Sequence, residues 1–519
     1  MSFFTPFNHQ NDSLFVLIKS LTKSEKRQFN LYVGRLEGNT EAKFFTLFKL
    51  LDKMKSYDEQ HILKSKIVSK QQLANLKAHL YRQLLISLRL NPAHQNVRMQ
   101  IREQLDFATV LYQKGLYKQS LKLLEKAKSM ALENEEKNIA YEIVELEKVI
   151  ETQFITRSIS TRADELSMQA KELSQQNVIT SKLSNLSLQL YSVLLKTGYV
   201  RNDKELQKIN TYFKNRLPKY DYDTLGFRER LWLYKAHLWR SFLTQDFVQS
   251  YKYASKWVDL FKENPKNIGL HPVFYLKGKN YLLETLFFVK NYQKFKEELQ
   301  SFELEIGKST IPSNSNTDML VFQYLYANKL HLHFLEGSFT EGSYLVALIE
   351  ENIAQYRNHL DNHHIVVLYY KIACLYFGMG ENKRCIGYLN KIIEDKNVSS
   401  GEDLQCFSRI LNLIAHYESG MDYHLERHFK DTYKFLLKME NLQEVQKEFI
   451  VSIKALGDVY PHQIKNEFKK IYKRLQKFEN HPYEKRAFLY LDILSWLESK
   501  IQNRTIGEVI REKAQQKNN

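Results

Sequence analysis

The stretch from Asp106 to Ala131, DFATVLYQKGLYKQSLKLLEKAKSMA, decides the fold. It contains a single glycine, Gly115, between two segments of helical periodicity. Small and apolar residues share one face of each segment: Phe107, Ala108 and Leu111 before the glycine, and Ser120, Leu124 and Ala127 after it. Because glycine lets the chain bend without a side chain in the way, the stretch predicts two helices joined by a tight turn.

Similar turns recur further along the chain. They are centred on Gln245–Phe247, Lys290–Tyr292, Gly337–Phe339, Gly380–Asn382 and Gly420–Asp422, and another is predicted at Thr197–Tyr199. Equivalent positions of the first five are 45, 47, 43 and 40 residues apart. This spacing predicts an array of long helical hairpins over residues 101–460.

The opening stretch resembles a tetratricopeptide repeat, with a small residue at Ala108, the turn glycine at Gly115 and an aromatic residue at Tyr117. Units of that family are about 34 residues long, so the helices or loops here are longer. The resemblance implies a right-handed α-solenoid whose first helices line a groove for a protein segment. In this family Asn and Lys side chains in the groove often hold the bound peptide. The corresponding candidates are Arg240, Asn328, Lys329, Tyr370 and Lys371.

Composition predicts an all-α chain, because 519 residues contain only 8 Pro and 17 Gly. Residues 1–100 do not follow the repeat. A capping box at Thr22 and Glu25 starts one helix, and a leucine stripe predicts another from about residue 69 to 90. We expect a basic N-terminal helical bundle at 1–100, the repeat solenoid at 101–460, and C-terminal capping helices at 461–519, including a basic helix at 463–477.

The net charge is +17, and residues 1–100 carry 16 Lys and Arg against 7 Asp and Glu. Basic side chains that pair with phosphates favour contact with a polyanion. The candidates lie in the N-terminal bundle and in the basic C-terminal helix: Lys23, Lys26, Arg27, Lys70, Lys77, Lys469, Lys470, Lys473 and Arg474.

No catalytic motif occurs in the sequence: we find no phosphate-binding loop, nucleophile elbow or HExxH segment. Two histidine pairs, His359 with His363 and His424 with His428, are spaced four apart, but zinc needs at least a third ligand. Three cysteines, Cys374, Cys385 and Cys406, lie in apolar helical segments and are predicted to be buried free thiols. We therefore predict no enzyme activity, no cofactor and no metal site.

Neither a signal peptide nor a membrane span is predicted, so we expect a soluble cytoplasmic protein. The favoured hypothesis is a non-catalytic scaffold or adaptor that binds a protein or peptide partner through the solenoid. The alternative is a factor associated with RNA, the ribosome or DNA that uses its basic N-terminal bundle. A variant of it combines both roles in a peptide-sensing regulator.

Overall fold

The structure, a computed structural model, describes residues 12–36, 42–91, 94, 96–153, 161–308, 310–357, 359–395, 402–420, 430–435, 444–457, 463–485, 488 and 492–518. Within these ranges it contains 25 α-helices and no strand. The predicted all-α class is therefore confirmed. Helices that are neighbours in the chain pack as pairs, and the chain divides into two compact units, Met1–Ser167 and Met168–Asn519.

The first unit contains eight complete helices and the start of a ninth. They are α1 Ser13–Ser20, α2 Lys23–Arg35, α3 Lys43–Lys53, α4 Glu59–Lys64, α5 Lys70–Leu90, α6 Val97–Gln113, α7 Tyr117–Glu133, α8 Lys137–Gln153 and α9 Arg162–Thr197, which continues into the second unit. Helices α1, α2, α3 and α5 enclose an apolar core that includes Phe29, Phe48 and Leu80. The predicted capping box is present, since the Glu25 amide donates to the Thr22 hydroxyl (3.2 Å) and the Thr22 amide donates to the Glu25 carboxylate (2.6 Å).

The second unit continues from α9. Its helices are α10 Asp203–Arg216, α11 Phe227–Leu243, α12 Phe247–Glu263, α13 Lys266–Leu270, α14 Pro272–Phe288, α15 Tyr292–Gly307, α16 Ser315–Glu336, α17 Phe339–Gly342, α18 Tyr344–Tyr356, α19 Asn362–Met379, α20 Asn382–Ile393, α21 Glu402–Glu418, α22 Glu444–Gly457, α23 Ile464–Gln476, α24 Ile493–Gln502 and α25 Ile506–Asn518. Four of the predicted turns lie between the helices of pairs in this unit: α11/α12, α14/α15, α16 with α17 and α18, and α19/α20. In each pair we call the earlier helix the first helix.

The turns between paired helices share one backbone conformation. Six of them place a residue in the left-handed region: Gly115, Glu135, Gln245, Lys290, Gly337 and Gly380. In each, the amide of the following residue donates to the carbonyl five residues earlier, at 2.8–3.1 Å. This bond satisfies a carbonyl at the end of the first helix. The second helix begins two residues after the left-handed residue. The predicted turns at Gly115, Gln245, Lys290, Gly337 and Gly380 are therefore confirmed, whereas the sequence did not indicate the one at Glu135. At the turn predicted at Thr197–Tyr199, α9 ends and Gly198 has a φ of +71°, but the next helix begins only at Asp203. The turn predicted at Gly420–Asp422 continues outside the described residues.

The C-terminal helices fold back along the second unit. Helix α25 packs against α16 and α19, and its Gly507 crosses Gly337 at the end of α16. A Cβ atom added to Gly507 would lie only 2.7 Å from the Gly337 carbonyl oxygen. Before α24, the Tyr483 carbonyl accepts a hydrogen bond from the buried Gln245 side chain at 3.0 Å. These long-range contacts place the end of the chain against the helical pairs.

Candidate functional site

Polar side chains lie along the first helices of four successive pairs, α11, α14, α16 and α19. We define the first-helix row as Lys235 on α11, Lys277, Asn280 and Glu284 on α14, Asn328 and His331 on α16, and Lys371 on α19. Spacings of three, four and seven residues bring the members on α14 and on α16 to one face of each helix. The Asn328 amide nitrogen donates to the Asn280 side-chain oxygen at 3.0 Å, which joins the row between two first helices.

The three lysines of the row are partly exposed, and none has an ion-pair or hydrogen-bond partner among the residues that the structure describes. Lys235 lies over the Trp232 ring, 4.5 Å from its centroid. By contrast, the buried Lys279 on α14 lies 3.2 Å from Glu298 and 3.4 Å from Glu305. The fold therefore pairs the lysine that it buries, whereas the lysines of the row form no ion pair among the described residues.

Burial shifts the pKa of two of these lysines. Desolvation and the nearby charge of Lys277 lower the pKa of Lys235 to about 8. Desolvation also lowers the pKa of Lys371 to about 8, and the nearby charge of Glu284 acts against this shift. Water still reaches both side chains, which are partly buried. An anion bound beside them would compensate for the lost hydration and hold both lysines in the charged form.

His331 and Asn328 form the buried part of the row. The His331 ring stacks on Phe287 with 4.1 Å between ring centroids, and burial together with the charge of Lys371 keeps the pKa of His331 well below its usual range. Asn328 also donates to the Tyr324 carbonyl at 2.8 Å, while its own side-chain oxygen is buried without a hydrogen-bond partner. His331 is therefore neutral, and the positive charge of the row resides on its lysines.

Two of the five predicted partner-binding residues, Asn328 and Lys371, belong to the row. Arg240 instead donates to Asn210 on α10 at 3.0 Å, and Lys329 forms a 2.6 Å ion pair with Glu303 on α15. Tyr370 is only 2% exposed and lies in the apolar core of the second unit. The sequence analysis missed Lys235 and Lys277, although a lysine within a largely apolar first helix is a signal that can be read from sequence.

The predicted polyanion contacts fall into two groups. Several are held by acidic residues: Lys26 by Asp52 at 2.7 Å, Lys77 by Asp12, Lys470 by Glu467 and Arg474 by Glu448 at 3.7 Å. Burial alone would lower the pKa of Lys77, but its hydrogen bonds to Asp12 and Tyr57 raise it. The others are exposed and have no partner among the described residues: Lys23, Arg27, Lys70, Lys469 and Lys473.

A separate feature is a cavity of about 630 Å³ in the second unit. One wall is formed by the turn ends of α14, α16 and α19, and the other by Glu479, Phe488, Asp492 and α25. Six aromatic side chains contribute to the lining: Phe287, Tyr292, Phe334, Phe339, Phe377 and Phe488. We call this the C-terminal cavity. It is large enough for a small molecule.

Among the described residues, neither metal-ligating side chains nor thiols form a further candidate binding site. Across the described ranges, no group of three or more His, Cys, Asp or Glu side chains is placed to hold a metal ion. His424 and His428 lie outside those ranges. All three cysteines are buried and free, as predicted, and burial raises the pKa of the Cys374 thiol to about 12, so this thiol is not ionised near neutral pH. Of the helices that the structure describes, none is long and apolar enough to cross a membrane.

Similarity to known proteins assigns no function to the first-helix row or to the C-terminal cavity. The sequence matches none of the protein-family models, and no curated protein shows significant similarity to it.

Proposed function

We propose that this protein is a non-catalytic scaffold or adaptor that binds a segment of a protein partner along the first-helix row. In this proposal the helical pairs form a right-handed solenoid of the tetratricopeptide-like kind, between an N-terminal bundle and C-terminal capping helices. The observation that carries it is the row itself: three lysines without an acidic partner, on the first helices of three pairs.

The charge of the row indicates the chemistry of the partner. Three ammonium groups face one carboxylate, Glu284, so a segment rich in Asp and Glu is the complementary ligand. A hydrogen bond between charged groups contributes about 1.5–3 kcal/mol. Three such contacts at the upper end of that range contribute about 9 kcal/mol in total, which is close to the roughly 8 kcal/mol that micromolar affinity corresponds to.

The test is affinity purification from the native cell, with and without nuclease, followed by titration of the purified partner. A variant with Lys235→Met, Lys277→Met and Lys371→Met removes the charge of the row but keeps its aliphatic packing. The matched control replaces the exposed lysines Lys23, Lys70 and Lys469 by Met. We expect a nuclease-resistant protein partner that binds the control like the wild type and the row variant at least tenfold more weakly. Recovery of nucleic acid only, with nuclease removing every protein, would refute the proposal.

Nucleic-acid association through the first unit is the second candidate function. Lys23, Arg27 and Lys70 support it, because they are exposed and unpaired within the described part of the chain. Neutralising phosphates releases counterions, so affinity for RNA or DNA falls steeply with rising salt. Filter binding across a salt series tests this, with Lys23→Gln, Arg27→Gln and Lys70→Gln expected to reduce the slope. A flat salt response excludes this function.

A further inference from the structure

The C-terminal cavity brings together parts of the chain that are distant in sequence. Tyr292 and Phe339 come from the starts of second helices, whereas Phe488 and Ile510 come from the C-terminal chain more than 140 residues later. Helix α25 is held there by packing against α16 and α19. The cavity is thus a built feature of the folded second unit and not a gap within one hairpin.

The walls of the cavity suit an apolar ligand with aromatic or alkyl groups. Six aromatic side chains contribute to its lining, together with Leu335, Ile506 and Ile510. Its volume of about 630 Å³ lies within the range of about 300–1,000 Å³ that is typical of small-molecule sites. Apolar area that a ligand buries contributes about 25 cal/mol per Å².

Two of the four charged groups of the lining, Lys513 and Asp492, already have partners. Lys513 lies 2.9 Å from the Glu498 carboxylate and donates to the Ser495 hydroxyl at 3.0 Å. Asp492 caps α24, because it accepts hydrogen bonds from the amide of Ser495 (3.0 Å) and from its hydroxyl (2.7 Å). Neither group is free to pair with a ligand.

Two charged groups of the lining, Lys290 and Glu479, have no partner among the described residues. Lys290 is exposed at the turn between α14 and α15, so water satisfies its ammonium group. Glu479 is half-buried and lines the cavity. A partly buried carboxylate gains more from a cation than an exposed ammonium gains from an anion.

We propose that the C-terminal cavity is a binding site for a small, largely apolar amine, whose ammonium group pairs with Glu479 while its body lies among the aromatic side chains. The faces of those rings also attract a cation, which adds to the selectivity for an amine. The site requires the C-terminal chain, since Glu479 and Phe488 both belong to it. The proposal is independent of partner binding along the first-helix row.

Three fluorescent probes with the same aromatic body test the charge preference: 1-naphthylmethylamine, 1-naphthylmethanol and 1-naphthoate. Binding to the full chain is measured by fluorescence titration and calorimetry. We expect the amine to bind at least tenfold more tightly than the alcohol, and the carboxylate to bind most weakly.

Two variants and a control locate the site. Glu479→Gln keeps the shape of the side chain, so it should reduce affinity for the amine about tenfold and leave the alcohol unchanged. Ala514→Trp fills the cavity and should abolish binding of all three probes. Glu351→Gln, on an exposed face of α18, should behave like the wild type. Thermal unfolding of each variant shows that it is folded.

Several results would overturn the proposal. One is equal affinity for the amine and the alcohol. Another is preference for the carboxylate, which would indicate that the ligand pairs with Lys290 and not with Glu479. A third is a Glu479→Gln variant that binds the amine like the wild type. Failure of every probe to bind at millimolar concentration, or binding that survives Ala514→Trp, would equally refute it.

Discussion

Replacing Gly507 by Ala should loosen the C-terminal helix from the second unit. The added Cβ would lie 2.7 Å from the Gly337 carbonyl oxygen, which is closer than atoms of this kind approach in proteins. The obstacle is backbone and not a flexible side chain, and Gly337 is itself fixed at a φ of +64°. The two chain segments must therefore move apart.

The change in the free energy of unfolding that Gly507→Ala causes is the sum of two opposing contributions. Inserting a methyl group into a packed contact costs about 1–3 kcal/mol. Alanine is a better helix former than glycine by at most about 1 kcal/mol, and α25 recovers part of this. We expect the free energy of unfolding to fall by about 1–2 kcal/mol.

The assay combines denaturant unfolding with hydrogen exchange of residues 506–518. Gly387→Ala on α20 is the matched control, because no atom lies within 4 Å of the added Cβ there. That control should gain about 0.5–1 kcal/mol from helix propensity alone. If Gly507→Ala were as stable as the control, with unchanged amide protection in α25, the close crossing would not constrain the helix.

Three further outcomes are expected. The Gln245 side chain donates to two backbone carbonyls, and Gln245→Ala removes this donor. The free energy of unfolding should therefore fall by about 1–3 kcal/mol, whereas Gln249→Ala, at an exposed position, should change it little. Lys290→Gly removes a side chain from a left-handed turn position and should stabilise the protein by about 0.5–1 kcal/mol in denaturant unfolding without weakening the amine probe. Lys235 and Lys371 are cationic below their pKa of about 8, so affinity for an acidic segment should fall between pH 7 and 9. In titrations of the variant with both residues replaced by Met, this pH dependence should be lost.

The features that the sequence predicts correctly are local ones. Gly115 and Gly380 reach the left-handed conformation without steric cost, and the helix pairs around them follow from that. The same holds for the capping box at Thr22 and for the basic helix α23, which the sequence placed at 463–477 and the structure at Ile464–Gln476. Each depends on residues only a few positions apart.

Other features depend on packing that periodicity does not encode. Helix α19 is apolar around most of its circumference, so the pattern does not show that Tyr370 lies in the core while its neighbour Lys371 lies in the row. The turn at Glu135 lacks the glycine signal. The crossing of Gly337 and Gly507 joins residues 170 positions apart, which no local pattern reveals.

The return of the C-terminal helices also has a consequence for the order of folding. Paired helices make contacts that are close in sequence, and such contacts form quickly. During synthesis, residues 168–395 emerge before residues 463–518, so the pairs can form while the surface that α25 later covers is still bare. Phe339 and Leu335 are then exposed to other chains for as long as translation of the remaining segment takes. Slow translation or early termination in that segment would therefore favour aggregation, even though every helical pair had already folded.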